Sequence, residues 1–61
     1  MPFIFVKMLE GRTDEVKSQL VEKVTETVAE TLSIETDGVF VIIEDIPGKN
    51  LGVGGKVQTP R

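Results

Sequence analysis

The sequence predicts an α/β fold: one β-α-β unit with parallel strands, then a short C-terminal hairpin, assembling into a symmetric oligomer. Three observations lead there. Two apolar runs, over residues 3–9 and 39–43, flank a stretch in which apolar residues recur every four positions. Two strands joined through a helix nearly always run parallel with a right-handed crossover. The chain has only 61 residues, and a domain of that size buries about 60% of the surface its unfolded chain exposes. Its lone core rarely supplies more than about 3–5 kcal/mol. With no cysteine and no histidine, disulfides and most transition-metal sites cannot make up the deficit. Oligomerisation remains.

The first strand reads Phe3, Ile4, Phe5, Val6, Lys7, Met8, Leu9. Near-continuous apolar character with aromatic and β-branched residues suits a strand covered on both faces. Glu10-Gly11-Arg12 breaks it, and Thr13 caps a helix whose first turn gains from Asp14 and Glu15. Val16, Leu20, Val24, Val28 and Leu32 follow at i+4 steps, widened by Val21 and Ala29. That period gives a helix of about five turns with one buried stripe, and it outweighs the strand propensity of the Val and Thr residues. Residues 33–38 are a polar connector. The second strand reads Val39, Phe40, Val41, Ile42, Ile43. Pro47-Gly48-Lys49-Asn50 is a turn, and Leu51-Gly52-Val53-Gly54-Gly55 opens a hairpin with glycines at left-handed positions. Thr59, Pro60 and Arg61 have nothing to pack against within one subunit. The whole of residues 1–61 is expected to form one domain, with a sheet face, two sheet edges and the hairpin left for another copy to cover.

Composition narrows the partners. Hydrophobic residues are 39% of the chain, too many for disorder, and the formal net charge is −3 without a basic cluster. Nucleic acid and anionic membranes are therefore not expected. The N-terminal run lacks the basic lead and cleavage site of a signal peptide, and no stretch approaches a membrane span. A cytoplasmic location is the expectation.

Catalytic side chains are scarce. Histidine, cysteine and tyrosine are all missing, which removes the commonest bases, nucleophiles and acids. One group is left that a side-chain inventory overlooks. Met followed by a small residue normally loses the Met, and here that would expose Pro2 as a free secondary amine. An α-amino group titrates nearer neutrality than lysine, and the ring fixes its direction. A positive charge roughly 6 Å away, at an effective dielectric of about 20, costs the protonated amine about 2.8 kcal/mol. That is about two pKa units downward, enough to leave much of the amine neutral at pH 7. Arg12 is a source for such a field and a bidentate partner for a carboxylate; its plain reading is a solvated loop residue. The glycines read as turn formers, since Gly52-Val53-Gly54-Gly55-Lys56 lacks P-loop spacing and Val57 stands where Ser or Thr is needed. Glu44-Asp45 reads as a solvated strand end, and Phe3, Phe5 and Phe40 as core.

Taken in order, Met-Pro before a strand, Leu9-Glu10-Gly11-Arg12-Thr13-Asp14-Glu15, an amphipathic helix, an apolar strand and Gly52-Val53-Gly54-Gly55 resemble the 4-oxalocrotonate tautomerase family. The likeness spans essentially the whole chain, and the Leu-Glu-Gly-Arg-Thr-Asp-Glu segment is its most specific part. The resemblance implies a β-α-β protomer in a homo-hexamer, a trimer of dimers. It implies that processed Pro2 moves a proton between an enol oxygen and a carbon of 2-hydroxy-dienoates or related enols, with no cofactor and no metal. Arg12 matches an arginine that engages the substrate carboxylate from a neighbouring subunit, and Leu9 a position whose backbone amide helps hold the substrate.

Two positions depart from the pattern. Phe40 stands where the family carries a second arginine that polarises the 2-oxo or 2-hydroxy oxygen and the adjacent carboxylate. Leu51 replaces an aromatic that keeps the site apolar. Loss of an electrostatic stabiliser costs about 2.7–4 kcal/mol, so weaker turnover of dicarboxylates is expected, with an aromatic mono-acid enol better suited to Phe40. A related hydratase or dehalogenase reading needs a carboxylate near Val53 to activate water. A non-catalytic reading, or a subunit whose partner chain supplies the missing arginine, stands as the alternative from another class.

Overall fold

The computed structural model describes residues 1–59; of the expected loose tail, Pro60 and Arg61 lie outside the described residues. Strand β1 (Phe3–Leu9) leads through helix α1 (Asp14–Leu32) to strand β2 (Phe40–Ile46), which lies parallel to β1. Short 3-10 turns occupy Thr36–Gly38 and Gly48–Asn50, and β3 (Gly52–Val53) pairs antiparallel with β4 (Lys56–Val57). The β-α-β unit and the hairpin match expectation. Gly54 (φ +60°) and Gly55 (φ +86°) take the left-handed turn positions.

One boundary and one stripe differ from the sequence reading. β2 extends past Ile43 through Glu44 and Asp45 to Ile46. The reason is β1: its run to Leu9 offers ladder partners at Lys7↔Glu44, Met8↔Asp45 and Leu9↔Ile46. Glu44 and Asp45 are exposed, as expected of a strand end, but they lie within the ladder and not beyond it. Glu44 lies 3.7 Å from the Lys7 ammonium across the strands, and Asp45 is paired with Lys17.

The helix begins as expected, with the Val16 N–H donating to Thr13 Oγ1 at 3.2 Å. Each i+4 step, however, advances about 40° beyond a full turn, so Val16 and Leu32 lie far apart around the helix. Both ends of the expected stripe are exposed, Val16 by 44% and Leu32 by 54%. Lys17, Leu20, Val21, Val24 and Val28 are half-buried and Ala29 is buried. That is the i, i+3, i+4, i+7 set of a packed helix face, and it starts at a lysine.

The sheet has one covered face. Ile4, Val6 and Met8 of β1 and Val41 and Ile43 of β2 are half-buried. Their neighbours point the other way: Phe3, Phe5, Phe40 and Ile42 are 52%, 65%, 41% and 45% exposed. These phenylalanines do not form a core within the protomer. The accessible surface of 4889 Å² exceeds by roughly 1,000 Å² the value of about 3,900 Å² for a compact monomer of this mass. That excess is about one partner's share of a standard interface. The radius of gyration is 14.2 Å against about 10.5 Å for a compact chain this long.

Candidate active site

Pro2 enters the sheet at the start of β1. A proline fits there because no ladder donor is asked of it, and its carbonyl accepts the Phe40 N–H at 3.0 Å. Pro2 is half-buried, whereas Met1 is 83% exposed. While Met1 is attached, the Pro2 nitrogen is an amide without basicity. Cleavage of that exposed residue converts it into an amine on a residue already anchored through its carbonyl.

Phe40 stands beside this point. It faces Phe3 in the parallel register, and the two rings stack with centroids 4.9 Å apart and planes 19° from parallel. The strand start is thus aromatic on the face away from the helix.

Leu9 and Arg12 lie at the opposite end of β1. In a strand, a residue's N–H and C=O point to the same side. The Pro2 carbonyl and the Glu10 N–H (3.0 Å to the Ile46 carbonyl) both serve β2, so the even-numbered residues are committed to that pairing. Odd-numbered Leu9 directs its N–H to the free edge. Arg12 is exposed and follows Gly11, whose φ of +120° only glycine adopts readily. No carboxylate of the described residues lies within 4 Å of its guanidinium, leaving it available to an anion.

Leu51 is half-buried at the foot of the hairpin, where its N–H reaches the Gly48 carbonyl (3.2 Å) and its carbonyl accepts the Gln58 N–H (2.8 Å). Val53, 59% exposed, is in the hairpin itself.

One chain therefore brings Pro2 to Phe40 and Leu9 to Arg12, but separates the pairs. Seven residues of strand span about 23 Å, beyond the reach of an arginine side chain. An arginine roughly 6 Å from Pro2 cannot be the chain's own Arg12. A site using both residues needs two copies of the chain.

Sequence reasoning missed the pairing of Lys17 with Asp45. They form an ion pair between the first turn of α1 and β2, with side chains 27% and 38% exposed. Lys17 is held above its ordinary 10.5, first by the hydrogen bond to Asp45, opposed by desolvation and aided by the fields of Asp45 and Asp14. The signal was present: a cation at the first position of the i, i+3, i+4, i+7 stripe needs a counter-charge on the sheet. Elsewhere, a shallow concavity of about 280 Å³ is lined by Glu26, Ala29, Glu30, Ile34, Glu35 and Thr36. Its three carboxylates disfavour an anionic substrate. Among the described residues, no cluster of three or more Asp or Glu is arranged to hold a metal ion.

Comparison with known proteins shows the family and the fold. The family model described as Tautomerase enzyme matches residues 2–61. The chain is 52% identical over 56 residues to the 2-hydroxymuconate tautomerase of Bacillus subtilis (strain 168), covering 92% of this chain and 90% of that protein. A structure of the 4-oxalocrotonate tautomerase isozymes from Methylibium petroleiphilum superposes with a TM-score of 0.88 at 39% identity, covering 92% and 90% of the two chains. A longer relative, the R7 fused 4-OT wild type asymmetric trimer, gives a TM-score of 0.91 at 35% identity over 93% of this chain and 46% of that one.

Proposed function

Because the chain belongs to the tautomerase family, we propose that its general base is the amine of Pro2, freed by removal of Met1. The observation that carries this reading is the geometry at the strand start: a carbonyl pinned to Phe40 and a nitrogen whose only substituent to be removed is 83% exposed.

The neutral amine takes the proton from the enol oxygen of a 2-hydroxy-dienoate or related enol. Electrons shift along the conjugated system, the C–O bond becomes a carbonyl, and the protonated amine returns its proton to carbon. Nothing is consumed, so no cofactor enters the scheme. Arg12 of a neighbouring copy binds the substrate carboxylate, and the outward N–H of Leu9 donates to a substrate oxygen. Phe40 and Leu51 form apolar walls that favour the neutral amine.

Two relatives point to 2-hydroxymuconate as one substrate. Phe40 gives no second guanidinium for a dicarboxylate, and its stacking on Phe3 suits an aromatic mono-acid such as phenylenolpyruvate. The assembly in this reading is a cytoplasmic homo-hexamer, a trimer of dimers; the exposed face of Phe3, Phe5, Phe40 and Ile42 supports self-association. The residue at position 40 also favours a second reading, a hetero-oligomer whose other chain supplies that guanidinium. Native mass spectrometry of an inactive homo-oligomer that turns over only with a second chain would select it.

Ultraviolet-monitored ketonisation of both enols tests the proposal. Pro2→Ala should lose roughly 10²-fold or more, and Phe40→Arg should improve 2-hydroxymuconate relative to phenylenolpyruvate. Equal rates for wild type and Pro2→Ala on both enols would refute the assignment of Pro2.

A further inference from the structure

We propose that the Lys17–Asp45 ion pair is a positioning clamp that sets the direction of Arg12 toward the substrate carboxylate; this rests on the reading of Arg12 as the carboxylate-binding residue. The loop that carries Arg12 runs only from Glu10 to Thr13, between the end of β1 and the start of α1. The start of this loop and the helix turn that follows it are fastened to consecutive residues of β2. At one, the Glu10 N–H donates to the Ile46 carbonyl at 3.0 Å. At the other, the Lys17 ammonium pairs with Asp45.

Within the helix start, the Lys17 N–H reaches back to the Thr13 carbonyl at 3.1 Å, and Thr13 caps Val16. The turn behind Arg12 is therefore one rigid piece, and the Asp45 contact ties that piece to the sheet. Val16, on the same turn, is 44% exposed, so apolar packing at this position does little of the fastening. With Gly11 in a conformation open to few other residues, the loop has a defined path, and Arg12 projects from its middle with no ion-pair partner among the described residues. A guanidinium that must meet a carboxylate bidentately is sensitive to small displacements of its base.

The test uses the Met1-removed protein, with its mass verified, and phenylenolpyruvate as substrate. Arg12→Ala should raise KM about tenfold or more, the scale of a lost charged hydrogen bond. Asp45→Asn should raise KM about two- to five-fold, the range for a partly exposed ion pair, with kcat and its pH profile unchanged. In an Arg12→Ala background Asp45→Asn should add nothing, because it acts through Arg12. The charge-swapped double variant Lys17→Asp/Asp45→Lys should restore KM, and it keeps the test alive if Asp45→Asn folds poorly.

Three results would overturn the clamp. One is an unchanged KM in Asp45→Asn when Arg12→Ala raises it. Another is a loss that adds fully to that of Arg12→Ala, which marks a purely structural role. The third is an unchanged KM in Arg12→Ala itself, which removes the reading of Arg12 and the clamp with it while leaving Pro2 as base intact.

Discussion

Pro2→Ala and Arg12→Ala subunits, each nearly inactive alone, should complement one another when mixed. β1 puts about 23 Å of strand between Pro2 and the loop that carries Arg12, so the proposed site takes its amine from one copy and its guanidinium from another. Refolding the two variants together in equal amounts gives a random oligomer. In it a site has an intact Pro2 in half the cases and an intact neighbouring Arg12 in half of those. Roughly one quarter of sites are then complete in a symmetric assembly, and ketonisation should recover to about that fraction of the wild-type rate. The unmixed variants should stay lower by about tenfold or more for Arg12→Ala and roughly 10²-fold or more for Pro2→Ala. Mass spectrometry of the mixture confirms that subunits have exchanged. A mixture that is exchanged yet no faster than the average of the two variants would refute the shared site, since it would mean that both residues act from the same chain.

Other consequences follow from single residues. Phe5 is 65% exposed, about 130 Å² of a ring that buries 150–250 Å²; covering it is worth about 3 kcal/mol per protomer. Phe5→Ser should therefore weaken association by about 10²-fold in sedimentation velocity, and unchanged assembly would show that this face is not the interface. Gly11→Ala meets no neighbouring atom within 4 Å but must adopt a φ of +120°. It should cost about 1–3 kcal/mol in denaturant unfolding and raise KM by disturbing Arg12. Lys17 titrates above its unfolded value of 10.5, so its pairing stabilises the fold fully below that pH. The contribution is lost as pH rises through the folded value. The stability difference between wild type and Asp45→Asn should shrink in strongly alkaline solution, and a difference that grows there would contradict the pairing.

Much of this was legible in the sequence because local signals agreed. The apolar run of β1, the Thr13 cap and the hairpin glycines each specify their element without help from distant residues. The end of β2 was not legible, because Glu44-Asp45 resembles a strand terminus until the length of β1 supplies their ladder partners. The helix stripe was misplaced by one residue at its start, since a strict four-residue spacing drifts around the helix and a lysine was not counted as part of a packed face. Pro2 and Arg12 were proposed as site residues from chemistry and motif order, and Leu9 from the family resemblance. Their separation required the structure, because distance along a strand becomes meaningful only once the strand's ends and partner are fixed.

The most direct measurement compares ketonisation by the same chain with Met1 retained and with Met1 removed, each form verified by mass and by oligomeric state. The two differ by one exposed residue and by the character of one nitrogen. If Pro2 is the base, the processed form should turn over phenylenolpyruvate or 2-hydroxymuconate roughly 10²-fold faster or more, and the unprocessed form should sit at the Pro2→Ala level. Equal rates in the two forms would show that an amide nitrogen serves as well as an amine, and the central claim would fall.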